Sequence, residues 1–200
     1  MPAKRNPLGD LKVVKEKLEA LLRAELKVKE LQDPNTKNVI LDLDSNQIYL
    51  NLDHPNLKSN HLAQARILIR EWLIKQPYVG AAFTREELLA GGDGRLLAQF
   101  RLGFNSHRSG DVQYCYTPYS MPGAPGANPK PKGTTHGRPY HYDTHVPLLL
   151  LGFGIVPGKY ERRISPAFLA PTASRLLGVD SPSACVEEPL IEAIVPVKKF

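Results

Sequence analysis

The residues best suited to chemistry are gathered in one short run, Thr134-Thr135-His136-Gly137-Arg138-Pro139-Tyr140-His141-Tyr142-Asp143-Thr144-His145. His136, His141, Asp143 and His145 lie close together at the entry to an apolar segment, a position where α/β proteins commonly assemble sites. A neutral imidazole binds zinc through one nitrogen while a partner holds the other, so the residue types point to metal chemistry. Their spacing matches no regular pair such as H-E-x-x-H, and on the residues alone turn and surface histidines remain the competing reading. Asp143 is expected either to orient a ligating imidazole or to cap the turn. His145 is expected either to support the site from behind a ligand or to pack structurally, and His141 to be exposed. His107 precedes Arg108-Ser109-Gly110-Asp111, a tight turn into a strand, and is another candidate. His54 and His61 are expected to be ordinary surface residues.

The elements that must position this run alternate between helices and strands, which favours an α/β layered architecture. Leu11, Val14, Leu18, Leu21 and Leu22 form the stripe of an amphipathic helix over 10–31, with Asp10 as its N-cap. A hairpin over 38–43 and 47–52 turns at Asp44-Ser45-Asn46. A second helix over 59–75 precedes Pro77, and a strand is expected over 79–83. Thr84 is placed to cap a short helix over 85–90, followed by another over 94–102 and a strand over 111–116. Residues 118–139 are rich in Pro and Gly and read as a loop. The run Val146-Pro147-Leu148-Leu149-Leu150-Leu151 reads as a strand covered on both faces. An edge strand over 159–164 and a helix over 166–177 stopped by Gly178 complete the chain.

Composition narrows the classes. The chain has 200 residues, a formal charge of +6, 42% hydrophobic residues and two Cys. That length suits one domain, and apolar residues recur along it without the long polar gap of a disordered chain. Cys115 and Cys185 can neither staple a scaffold nor supply a thiol-rich zinc site. The basic residues of the first helix alternate with Glu16, Glu19, Glu25 and Glu30, the pattern of a solvated face, so nucleic acid is not the expected partner. The apolar run 146–156 is about half the length of a bilayer-spanning helix and is broken by Pro147, Gly152 and Gly154. MPAKRNPLGD carries positive charge with no apolar segment behind it, so no secretory signal is expected there.

The run GTTHGRPYHYDTHVPLLLLGFGIVPGKY resembles the C-terminal signature of the alkaline phosphatase superfamily, in its type I phosphodiesterase/nucleotide pyrophosphatase-like branch. SNQIYLNL, RSGDV over 108–112 and APTASRLLGV over 170–179 occur in the family's order. The resemblance implies the C-terminal part of an alkaline phosphatase-like α/β sandwich with a mixed, largely buried sheet. It includes part of the region inserted before the final metal-ligand motif. One partial domain over 1–200 is expected, divided into a helix/hairpin/helix region (1–117), the loop (118–139) and a strand-helix portion of the core (140–200).

The resemblance further implies a zinc-dependent phosphatase or phosphodiesterase with two zinc ions and a Thr or Ser nucleophile. His136 stands at the family's zinc-ligating histidine, and Gly137 lets the backbone turn closely beside the metal. Asp143, His145 and Gly137 are the expected supporting residues. The nucleophile, the Asp-x-x-x-His pair and the Asp-His-Gly motif of the family are not found in this sequence, so no catalytic residue is assigned. One ligand is expected here of about six needed for two ions with three protein ligands each. MPAKRNPLGDLKVV resembles the segment after the Asp-His-Gly motif, so Met1 is expected to be internal to a longer protein or the start of a split gene product. The implied substrate is a phosphate ester, the implied partner a separate N-terminal polypeptide, and the implied location outside the cytoplasm or in the periplasm. The alternative is a non-catalytic α/β scaffold that pairs with such a half.

Overall fold

A computed structural model describes residues 4–6, 11–33, 35–44, 46–122 and 136–195. The expected cap at Asp10 and most of the loop over 118–139 lie outside them. In chain order the strands are β1 (Lys4–Asn6), β2 (Ile40–Leu43), β3 (Gln47–Leu50), β4 (Val79–Thr84), β5 (Val112–Tyr116) and β6 (Ser120–Pro122). The helices are α1 (Leu11–Glu25), α2 (Ser59–Ile74), α3 (Arg85–Ala90), α4 (Arg95–Gly103), α5 (His141–Thr144) and α6 (Leu169–Leu177). Two compact units divide the chain, residues 1–146 and 147–200.

The first unit is built on an antiparallel sheet in the order β2-β3-β5-β4, with a separate parallel pair β1-β6. Val14, Leu18 and Leu22 of α1 and Ala65, Ile69 and Leu73 of α2 are buried in one cluster with Ile40, Ile48, Leu50, Val112, Tyr114 and Tyr116 of the sheet. Burying each large aliphatic side chain contributes about 1.5–3 kcal/mol, so these two stripes dominate the attraction between helices and sheet. The helix expected over 10–31 is shorter, because Lys27 turns left-handed with φ 54° and residues 29–32 form a 3-10 turn. Arg23 fixes that reversal by donating to the carbonyls of Leu31 (2.6 Å) and Thr36 (3.1 Å). Thr84 caps α3 as expected: its hydroxyl accepts from the Glu87 amide while the Glu87 carboxylate accepts from the Thr84 amide.

β3 and β5 are registered at only Gln47↔Gln113 and Ile48↔Val112. Side chains reinforce this join. The amide of Leu50 donates to Asp111 Oδ2 (2.9 Å), the amide of Asp111 donates to the Ile48 carbonyl (2.8 Å), and Gly110 donates to Gln47 Oε1 (2.8 Å). A Cβ at Gly110 would stand 2.9 Å from the Ile48 carbonyl oxygen, so the glycine permits this approach. Arg66 of α2 reaches Asp111 Oδ1 at 3.1 Å and Glu86 of α3 at 2.7 Å. His54, expected at the surface, is instead 3% exposed. Its Nε2 lies 2.8 Å from the Lys37 carbonyl and its Nδ1 accepts from the Asn56 amide, which ties the segment after β3 to the one before β2. His61 accepts from the Lys58 amide at the start of α2.

In the second unit, α6 ends at Gly178 in the left-handed region (φ 69°), as expected. Thr172 links α6 to the end of the chain: its hydroxyl donates to the Phe168 carbonyl (2.6 Å) and accepts from the Leu190 amide (2.9 Å). Ile155 and Ile194 form an antiparallel bridge. Two expected strands are absent here. Residues 147–151 and 159–164 are irregular, because a strand requires a hydrogen-bonded neighbour and none of the described residues supplies one.

Asp111 joins β3, β5, α2 and α3 from a nearly closed position. Asp111→Ala leaves Arg66 without its buried partner and the Leu50 amide without an acceptor, and is expected to destabilise the first unit by about 3 kcal/mol or more. Urea unfolding followed by far-ultraviolet circular dichroism measures the loss.

Candidate functional site

The turn that carries His136 is assembled from the first unit and braced against β5. Gly137 adopts φ 91°, a left-handed conformation that a residue with a side chain would hold under strain, and it redirects the chain immediately after His136. The next amide, of Arg138, donates to Asp143 Oδ2 at 2.8 Å. Asp143 therefore caps the turn. The amides of Asp143 and Thr144 donate to the Tyr140 carbonyl and that of His145 to the His141 carbonyl, closing the single turn α5.

Three tyrosines anchor this turn. Tyr140 donates its hydroxyl to the Tyr116 carbonyl at 2.7 Å, with Cys115 Sγ at 3.7 Å. Tyr142 lies nearly parallel to Tyr140 (centroids 5.8 Å apart) and to Tyr119 (4.6 Å), and its hydroxyl accepts from the Tyr119 amide. Tyr119 has φ 59°, uncommon for a residue with a side chain. The Arg138 guanidinium covers the Tyr116 ring at 4.7 Å from its centroid, an attraction between a cation and an aromatic face. Gly80 of β4 makes room for the anchor, since a Cβ there would collide with the Tyr140 hydroxyl and approach the Tyr116 carbonyl oxygen to 3.0 Å.

His136 and Gly137 lie exposed at the end of this braced turn. His141 and His145 are exposed and stack on one another, with centroids 4.6 Å apart and planes inclined by 14°. His107 is exposed in a separate turn, where its amide donates to Asn105 Oδ1. Among the described residues, no group of three or more His, Cys, Asp or Glu side chains is gathered as a metal site. At its start the turn presents the exposed His136 imidazole beside a backbone corner held by Gly137 and Asp143. The bracing residues Gly80, Cys115, Tyr119 and Tyr140 were not singled out from the sequence. Their only signal there is the Tyr140-x-Tyr142 spacing beside Arg138.

Burial also sets the electrostatics of the anchor. It pushes the Tyr140 hydroxyl well above the ordinary tyrosine value, with Cys115 adding to the rise and Arg138 opposing it. Burial likewise raises the Cys115 thiol, against the bond from Tyr140. Tyr114 is raised by burial and by Tyr116, and Tyr78 is pushed up to about 12 by burial and then Tyr116.

The fold described here recurs in known proteins. The chain is 30% identical over 174 residues to alkaline phosphatase PafA of Elizabethkingia meningoseptica, covering 86% of this chain and 31% of that protein. It is 37% identical over 84 residues to alkaline phosphatase PhoV of Synechococcus elongatus, covering 42% of this chain and 14% of that one. The crystal structure of wild-type PafA matches with a TM-score of 0.74 at 26% identity, over 92% of this chain and 33% of that chain. These relatives and structural neighbours are alkaline phosphatases, so the chain is similar to members of the alkaline phosphatase-like superfamily. It is an alkaline phosphatase-like α/β polypeptide that matches the C-terminal part of the PafA fold. A protein of Myroides odoratus named calcium-transporting ATPase is also 27% identical over 176 residues, covering 86% of this chain and 31% of that protein. No family model matches the chain. The chain spans about a third of the length of the first curated relatives it matches.

Two expectations follow for the anchor. Gly80→Ala is expected to cost about 1–3 kcal/mol by overpacking, and Tyr140→Phe about 1 kcal/mol by losing one hydrogen bond. The double variant, which lacks the colliding hydroxyl, is expected to lose less than the sum, measured by urea unfolding. The second expectation concerns alkaline pH. An unfolded tyrosine ionises near 10, whereas Tyr78 stays protonated to about 12, so the folded state holds more protons between those values. Stability is therefore expected to fall as pH rises from about 10 to about 12, with tyrosinate absorbance tracking the unfolding.

Proposed function

We propose that this chain supplies the last metal-ligand turn of a zinc-dependent phosphoric ester hydrolase, with His136 as the ligand. The observation that carries this reading is the exposed His136-Gly137 corner, braced from behind by Asp143 and Tyr140, in a chain of alkaline phosphatase-like fold. A braced corner presents an imidazole nitrogen at a fixed position and limits the entropy lost when a metal is bound.

Zinc, when bound, would supply Lewis acidity toward a phosphoryl oxygen. The chain's own residues contribute orientation. His136 offers the nitrogen lone pair, Gly137 sets the backbone corner, and Asp143 holds that corner through the Arg138 amide. The stacked His141 and His145 rings flank the turn, with His145 in a supporting role. The nucleophile, the remaining ligands of two zinc ions and the choice between phosphate monoesters and diesters, including the nucleotide pyrophosphatase-like reading, belong to sequence beyond these 200 residues. Export to the periplasm and one partial domain over 1–200 are parts of the same proposal. A second reading is favoured by the lack of a gathered ligand set among the described residues: a non-catalytic scaffold that pairs with a separate N-terminal half.

The purified chain alone is expected to hydrolyse neither p-nitrophenyl phosphate nor its diester analogue in the presence of zinc. Combined with the remainder of an alkaline phosphatase-like chain it is expected to turn over at least the monoester, and His136→Ala is expected to weaken zinc affinity by about 100-fold or more. Robust zinc-dependent turnover by the isolated chain that survives His136→Ala would refute the assignment. Combined polypeptides that stay inactive with zinc bound would favour the scaffold.

A further inference from the structure

Residues 147–153 carry the most apolar run of the chain, and of its large apolar side chains Leu150 alone is partly covered. Leu149 is 86% exposed, Leu151 101% and Phe153 104%, and Leu148 is also exposed. Chain ends and surface loops place single apolar residues in water without consequence, but contiguous exposure of this kind marks an interaction surface. The pattern identifies the kind of surface. In an extended segment alternate side chains face opposite ways, so an extended 147–151 would carry Leu149 and Leu151 on one side and Leu148 and Leu150 on the other, ahead of the turn at Gly152 (φ 146°). Apolar residues on both sides describe an interior strand, flanked by neighbours and covered on two faces, rather than a strand on the rim of a sheet.

The backbone agrees. No amide or carbonyl of residues 147–151 exchanges a backbone hydrogen bond with another described residue. Pro147, which has no amide hydrogen, stands at the first position of the run, where a strand tolerates it. The apolar surface continues onto α6, because Gly154 lies against Leu176, and Leu177 and Val179 beyond it are exposed. The run is too short to cross a bilayer as a helix, and no described helix is long and apolar enough to do so.

We propose that residues 147–151 are a docking strand, which inserts as an interior strand into the sheet of a polypeptide carrying the rest of an alkaline phosphatase-like fold. The inference rests on the functional reading above and names the surface through which this chain meets its complement. What points to that occupant is the match itself: 92% of this chain fits within an enzyme of which it covers 33%, so most of that fold is available to surround the strand. Main-chain hydrogen bonds would supply affinity and the two apolar rows would supply register.

The test is hydrogen exchange, read by mass spectrometry on the full 200-residue chain. It is run alone and with an equimolar polypeptide made from the part of the Elizabethkingia meningoseptica phosphatase that the match leaves out. Alone, the amides of 148–151 are expected to exchange rapidly. In the mixture the two polypeptides are expected to co-elute, with those amides slowed by about 100-fold or more. Leu149→Lys combined with Leu151→Lys is expected to abolish both effects while the urea unfolding of the first unit stays unchanged. Absence of a complex, or a complex that leaves 148–151 unprotected, overturns the proposal. Concentration-dependent protection in the chain alone assigns the strand to a second copy and also overturns it. Hydrolysis of p-nitrophenyl phosphate in the same mixture separates the two readings. Protection without hydrolysis leaves the docking strand standing and counts against the catalytic reading, whereas hydrolysis without protection does the reverse.

Discussion

A single buried carboxylate organises the first unit. Asp111 accepts the Leu50 amide on one oxygen and faces Arg66 on the other, while Arg85 stands 3.8 Å from that same oxygen. A charge taken out of water is costly unless it is paired and hydrogen-bonded, and here the pairing is divided among a strand, a helix and a capped turn. The arrangement works only when β3, β5, α2 and α3 are all in place. Its value is therefore specificity of assembly as much as attraction, with the apolar stripes of α1 and α2 supplying most of the latter.

From that framework the candidate site is reached through β5. Tyr114 and Tyr116 point into the core, whereas Cys115 lies beside the Tyr140 hydroxyl, so one strand serves both the interior and the bracing of the His136 turn. The absent side chain at Gly80 decides how closely that turn can approach. His136 itself is exposed, and the contacts that hold its turn lie behind it.

What could be read from the residues was whatever depends on near neighbours. The stripes of α1 and α2, the Thr84 cap and the Gly178 stop are local patterns, and they sit where spacing puts them. The role of Asp111 was hidden because its partners Leu50 and Arg66 are 61 and 45 residues away. His54 misled for the same reason, its burial depending on a carbonyl 17 residues earlier. The run 147–151 failed in the opposite sense. Its composition describes a strand faithfully, but pairing is a property of two segments, and composition cannot report whether the second is present. For the His136 turn the residues alone left surface histidines as the competing reading and only the family resemblance implied a metal ligand, while the tyrosine ladder that holds the turn joins segments separated by the loop.

The narrow join between β3 and β5 has a consequence for motion. The β2-β3 hairpin and the β4-β5 pair each have longer local registers, but they meet at two residue pairs reinforced by side chains. Partial opening of the sheet would follow this seam, separating two cooperative blocks before either one melts. Because the tyrosine ladder is rooted in β5 and reaches Gly80 in β4, the His136 turn would travel with the second block and keep its shape while the hairpin swings away. The turn is accordingly buffered against the breathing of the hairpin and the segment that precedes it.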